Sequence, residues 1–254
     1  MEWFTTECGK YRIESLSAAT VPGALNVIRV AFFPDEFVCQ STEVNKNPIA
    51  VEELLELCAD AALDGVSLVA IETATKEVVS VAFNKLQIAS STEKPFFEIF
   101  AEERCTQASS RAVVQFMADI DSRINMFEKY QEDCSLEIMF LATLREYRKH
   151  KLGTMLCKYS IELAKKLKDG PVSKITVEDL GAEYSKMQSR AVTTKYPKLC
   201  QALGTGIGTQ KITNYLGFTV HLRVSYAEFV YDGKTYLERM GYDPHCEAVA
   251  LKLY

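Results

Sequence analysis

Four cations crowd one short stretch of this chain, Arg145-Glu146-Tyr147-Arg148-Lys149-His150-Lys151. It follows the apolar run Leu136-Glu137-Ile138-Met139-Phe140-Leu141-Ala142-Thr143 and leads into Leu152-Gly153-Thr154. A nearly continuous apolar run suits a central strand buried on both faces, and residues 153–168 read as a helix. A strand that turns straight into a helix presents the helix's first amides, which lack intrahelical acceptors, and the positive end of its dipole. Such an end binds anions, phosphate and pyrophosphate best of all. Arg148, Lys149 and Lys151 add charge to it, and Gly153 lets the backbone come close. The plainer reading is a solvated basic turn, and the spacing alone leaves both open.

The elements around this junction are legible in outline. Tyr11-Arg12-Ile13-Glu14-Ser15-Leu16 alternates as a strand does. Ser17 or Thr20 then caps a helix that runs through Ala31-Phe32-Phe33 and stops at Pro34. A second helix starts at Pro48, where Val51, Leu54, Leu55, Cys58 and Ala62 recur at helical spacing, and ends at Asp64-Gly65. Residues 66–71 and 78–83 read as a hairpin. The Phe-rich residues 94–100 interrupt the pattern, and an amphipathic helix is expected over 107–130. Asp169-Gly170-Pro171 ends the helix after the basic turn, and Ser173-Lys174-Ile175-Thr176-Val177-Glu178 is expected to be the strand that completes a βαβ unit. Residues 184–209 read as helical pieces with a loop at 204–208. A helix over 210–215, the turn Leu216-Gly217-Phe218 and two strands close the chain. No repeat, linker or low-complexity tract divides residues 1–254, so one α/β domain is expected.

Composition narrows the function. Apolar residues make up 48% and charged residues 25%, an ordinary globular balance. The net charge of −5 disfavours a nucleic-acid backbone as partner. No apolar run reaches the ~20 residues needed to span a bilayer, and the first residues carry no secretory signal. The eight cysteines form no CxxC pair and no Cys/His cluster, which argues against a metal and for a reducing compartment. The expectation is a cytoplasmic protein, monomeric, without a membrane, nucleic-acid or metal partner.

The junction resembles that of the GNAT acetyltransferases, whose signature is R/Q-x-x-G-x-G/A between strand and helix. Arg148 and Gly153 match in type and spacing, while Lys151 stands where the first glycine is usual. The order of elements along most of the chain, and Asn214-Tyr215-Leu216-Gly217-Phe218, fit the same family. Phe32-Phe33-Pro34-Asp35-Glu36 resembles the F-F-x-D-E-P segment of insect arylalkylamine N-acetyltransferases, with Phe37 in place of the last proline. Ser225-Tyr226-Ala227-Glu228-Phe229, Asp232-Gly233-Lys234 and Pro244-His245 resemble that subfamily's ending, against which residues 184–206 are extra length.

The resemblance implies a mixed α+β fold with a mostly antiparallel twisted sheet flanked by helices, and acetyl-CoA as co-substrate. It places acetyl-CoA on Leu141, Ala142 and Thr143 of the strand and on Arg148, Lys149, His150, Lys151, Leu152, Gly153 and Thr154 of the turn and helix. A backbone amide near residues 140–143 would hold the thioester oxygen. The acceptor would be a small primary amine, an arylalkylamine in first place and an aliphatic amine or polyamine in second; a CoA-binding module without turnover is the non-enzymatic alternative. Glu36 corresponds to the subfamily's general base, with Asp35 helping to attract the cation; both read otherwise as solvated carboxylates. The tyrosine that often protonates the leaving thiolate is replaced by Thr213, and Tyr215 lies about 200° further round the helix, so Thr209 is the hydroxyl candidate. His150 is expected to face solvent or phosphate, and His221 to pack. His245 and the aromatics Phe96, Phe97 and Phe100 are open between acceptor wall and packing, and Cys157 reads as a small buried apolar residue.

Overall fold

An apolar run as continuous as residues 136–143 has to be covered on both sides, and it forms the middle of the sheet. The computed structural model describes residues 1–89, 94–191, 193–241 and 245–254. The strands are β1 (Glu2–Thr5), β2 (Tyr11–Ser15), β3 (Leu68–Glu72), β4 (Val78–Ile88), β5 (Cys134–Thr143), β6 (Leu199–Gly204), β7 (Thr219–Ser225), a short hairpin of β8 (Val230–Tyr231) and β9 (Lys234–Thr235), and β10 (His245–Lys252). Eight of them make one sheet in the order β1-β2-β3-β4-β5-β6-β10-β7. Every pairing in it is antiparallel except β5 with β6.

The helices are α1 (Val21–Val27), α2 (Phe37–Ser41), α3 (Pro48–Ala62), α4 (Phe96–Glu103), α5 (Ala108–Arg123), α6 (Met126–Tyr130), α7 (Leu152–Lys166), α8 (Val177–Leu180), α9 (Ile207–Tyr215) and α10 (Tyr236–Met240). One apolar layer joins α1, α3 and α5 to the sheet, and the opposite face packs on α7. Local chemistry sets their ends. Asn47 accepts from the amides of Ile49 and Ala50 and places Pro48 in the first turn of α3. The carboxylate of Glu53 on α3 accepts from the amides of Thr106 (2.9 Å) and Gln107 (3.3 Å), which fixes the start of α5 where the helix dipole favours negative charge. At Gly65 (φ +69°) an added Cβ would lie 2.4 Å from the Ser173 carbonyl oxygen, so only glycine fits.

Four expectations need correction. Residues 173–178 form no strand; Thr176 and Asp179 close a capping box that starts α8 instead. The parallel partner of β5 is β6, which lies in the stretch expected to be helical. The helix expected over 107–130 is two helices, since Asn125 caps α6 through the amides of Phe127 and Glu128. The Phe-rich stretch is itself helix α4. The helix expected to stop at Pro34 does so, its last turn widening into a π turn over Ile28–Phe32. Pro244 lies outside the described residues. Among those described, no helix is long and apolar enough to cross a membrane.

Candidate active site

The sheet splits at its centre. β5 and β6 pair only from Ser135 with Leu199 to Ile138 with Ala202. Beyond that point Leu203 and Gly204 stay with β10, while β5 stays with β4. The cause is a bulge: Phe83 faces Phe140 and Asn84 faces Ile138, which leaves Met139 as the extra residue. A bulge bends its strand and inverts the facing of the residues beyond it. Leu136 and Ile138 accordingly pack on the α7 side, and Phe140 and Ala142 on the other. A cavity of about 790 Å³ opens in the split, within the usual size range of small-molecule sites.

The basic turn forms one part of its wall. After β5 the chain makes a 3₁₀ turn over Arg145–Tyr147, passes Lys149 (φ +67°) and Lys151 (φ +60°), and enters α7. Lys151 holds a left-handed conformation that glycine takes at no steric cost, which is the physical sense of a glycine at this position in the resembled signature. Among the described residues no side chain caps α7, so its first amides are left for another acceptor. Gly153 has a packing role as well, since a Cβ would sit 3.3 Å from Ile212 Cδ1 and 3.6 Å from Leu141 Cδ2. Leu141, Ala142, Thr143, Arg148, Lys149, Lys151, Leu152, Gly153 and Thr154 all line the cavity. His150 is not among its lining residues; its ring lies 5.5 Å from that of Tyr11 and its Nδ1 3.2 Å from the Tyr147 carbonyl oxygen.

Asp35 ties this turn to the acidic segment. Arg145 Nε donates to its Oδ2 at 3.0 Å and Arg148 Nη2 at 2.6 Å. The Arg145 hydrogen bond, then that of Arg148, holds the Asp35 carboxyl below the usual carboxylate range. Asp35 is therefore a clasp on two arginines rather than a free attractor of cations. Arg148 also donates to the Thr143 carbonyl at 3.1 Å, which lays its guanidinium along the end of β5.

Glu36 is the N-cap of α2. Its Oε2 accepts from the Cys39 amide at 2.7 Å, while Oε1 is buried with no hydrogen-bond partner among the described residues. One oxygen thus fixes the carboxylate and the other is left as an acceptor in a residue that lines the cavity. Phe32, Phe37, Val113, Phe116 and Met117 supply apolar wall beside it. Phe37 stacks on Tyr226 at 4.1 Å, and the Tyr226 hydroxyl donates to the Thr205 carbonyl at 2.8 Å, which pins the loop entering α9.

Thr209 lies on α9 and lines the cavity. Thr213 is buried, and its hydroxyl donates back to the carbonyls of Thr209 and Gln210; Tyr215 is 78% exposed and points away. Phe97 and Phe100 are buried in the core and Phe96 packs against it, none lining the cavity. His245 bonds to Glu247 at 3.1 Å away from the cavity wall, and His221 bonds to the Tyr130 hydroxyl at 2.7 Å, its pKa lowered by burial. Burial pushes the Cys157 thiol up to about 12. Sequence reasoning missed Glu137 and the α5 residues Val113, Phe116 and Met117 as parts of this wall. The i, i+4 spacing of 113 and 117 marks a shared helix face but not what that face looks upon.

No family model matches the chain, and no curated protein matches its sequence. Solved structures do resemble it. Arylalkylamine N-acetyltransferase 2 from Aedes aegypti superposes with a TM-score of 0.74 over 96% of this chain and 99% of that one, at 18% identity. A mosquito arylalkylamine N-acetyltransferase like 5b gives 0.73 over 95% and 99%, at 13% identity. A Drosophila melanogaster polyamine N-acetyltransferase, which forms N-acetylagmatine, gives 0.67 over 95% and 99%, at 10% identity. These likenesses show the fold, a mixed α+β architecture with a mostly antiparallel sheet.

Proposed function

We propose that this chain, which has the GNAT acetyltransferase fold, moves an acetyl group from acetyl-CoA to a small primary amine, an arylalkylamine. The observation that carries the reading is that one cavity meets both the uncapped, basic start of α7 and the free oxygen of Glu36. The first suits the diphosphate of a CoA thioester, the second an ammonium that must lose a proton. The aromatic wall of Phe32, Phe37 and Phe116 suits an aryl group.

In this account Arg148, Lys149, Lys151 and the first amides of α7 hold the diphosphate. Primary amines have pKa values near ~10, so Glu36 first takes a proton from the bound ammonium, directly or through water. The amine nitrogen then bonds to the thioester carbon. A backbone amide of β5 beyond Ile138, on the edge that β6 leaves unpaired, steadies the developing oxyanion. The carbon–sulfur bond breaks, and the Thr209 hydroxyl passes a proton to the thiolate as the new amide nitrogen gives one up. All eight cysteines are free thiols and seven of them buried, which supports a reducing, cytoplasmic setting.

Thiol release from acetyl-CoA, measured against aromatic, aliphatic and peptide amines, tests the reading. Turnover with arylalkylamines is the expected result. Release with no amine would leave a donor-binding module, and release with aliphatic amines alone would reassign the acceptor.

A further inference from the structure

A central strand buried on both faces normally carries no charge, yet β5 carries Glu137. It is 1% exposed, faces Lys85 on β4 and Gln201 on β6, and lines the same cavity as Glu36. A carboxylate so buried calls for a cation or for several donors. Lys85 answers it through charge alone, since its Nζ lies 3.3 Å from Asp60 and 3.5 Å from Asp64, over the Phe96 ring. Gln87 Nε2, donating to Oε2 at 2.7 Å, is the only hydrogen-bond donor to Glu137 among the described residues.

Helix α5 brings a second acid to the same place. Val113, Met117 and Asp121 recur at i, i+4 and i+8 and share one face; the first two line the main cavity. Asp121 and Glu137 line a small adjoining cavity with Gln201, whose Oε1 is buried without a hydrogen-bond partner among the described residues. Asp121 has no ion-pair partner among them either. Burial raises the pKa of both carboxyls, and the charge of Glu137 raises that of Asp121 further. The two carboxyls and the Gln201 oxygen can all accept, and among the described residues no cation or hydroxyl lines the small cavity with them. Glu137, which alone of the three also lines the main cavity, can accept there from a ligand that donates.

We propose that Glu137, with Asp121 and Gln201, forms a distal subsite of the acceptor cavity that accepts hydrogen bonds from a hydroxyl on the ring of the arylalkylamine. The proposal rests on the amine-acetyltransferase reading above and goes beyond it by naming what selects among amines. The aromatic wall favours a ring between the two ends, and hence a ring hydroxyl over the second cation of a polyamine.

Calorimetric titration of tyramine and of phenethylamine, which differ by one hydroxyl, into the protein saturated with CoA tests the subsite without relying on turnover. Tyramine should bind at least ~10-fold more tightly, and Glu137→Met should bring the two within about 3-fold. Should Glu137→Met lose its cooperative melting transition, Glu137→Gln, which keeps the Gln87 contact, should still shrink the preference. Equal binding by the unaltered protein, or a preference that survives both substitutions, overturns the subsite. Tighter binding of agmatine than of tyramine overturns the hydroxyl assignment in favour of a second cation. Thiol release with either amine but no preference removes the subsite alone, whereas no binding and no release with any amine removes the functional reading with it.

Discussion

Replacing Lys151 by glycine separates the two things this residue does. At φ +60° an L-residue carries a steric cost of ~1–2 kcal/mol that glycine does not. Glycine in turn gives up ~0.4–1 kcal/mol by loosening the unfolded chain. The net expectation is a gain of ~0.5 kcal/mol, or a melting temperature higher by ~1–2 °C in a chain of this size. The lost charge acts on the donor. Lys151 is exposed, so its attraction for a diphosphate is worth at most ~1 kcal/mol at low salt, which is about 5-fold in affinity. That difference should vanish toward 1 M salt, where the screening length falls to ~3 Å. Thermal melts, with acetyl-CoA titrations at two salt concentrations, measure both. A melting temperature lower by several degrees would refute the backbone argument. Outright loss of acetyl-CoA binding would refute the claim that the lysine contributes only charge.

Arg148→Ala should weaken acetyl-CoA binding by at least ~10-fold, or ~1.4 kcal/mol, because it removes the guanidinium laid along the end of β5; unchanged calorimetric affinity would move the donor elsewhere. Glu137 and Asp121, which line one small cavity, predict a pH dependence of stability. Carboxyls whose native pKa is raised stabilise the fold fully below the unfolded value near ~4 and lose that contribution as pH rises through the native values. Glu137→Gln should therefore raise the melting temperature more at pH 8 than at pH 4, and an equal shift at both would exclude the pair as the cause.

Sequence patterns revealed the centre of this fold better than its flanks. Residues 136–143 read as a covered strand, and Arg148 to Thr154 as a turn into a helix, because a continuous apolar run and a basic turn before a glycine are local signals. Residues 173–178 misled because Ile175 and Val177 alternate with polar neighbours as in a strand, while the Thr176–Asp179 capping box takes the same residues into α8. β6, Leu-Cys-Gln-Ala-Leu-Gly, has little intrinsic strand preference and exists because β5 and β10 pair with it on either side. The site divides in the same way. Glu36 and the basic turn carry a recognisable local spacing. Glu137 and Asp121 do not, since only the pairing of β5 and the packing of α5 bring them together.

The central claim is proton removal from an amine by Glu36, and the direct measurement is thiol release from acetyl-CoA with an arylalkylamine, by the native chain and by Glu36→Gln, between pH 7 and 9. The substitution keeps the shape of the α2 cap and removes the base. Turnover near pH 7 should fall at least ~10²-fold, the lower end of what a positioned base contributes, with acetyl-CoA affinity nearly unchanged. The deficit should narrow toward pH 9, where more of the amine is already neutral. Full activity of Glu36→Gln at pH 7 would contradict the account and leave Glu36 as no more than the cap of a short helix.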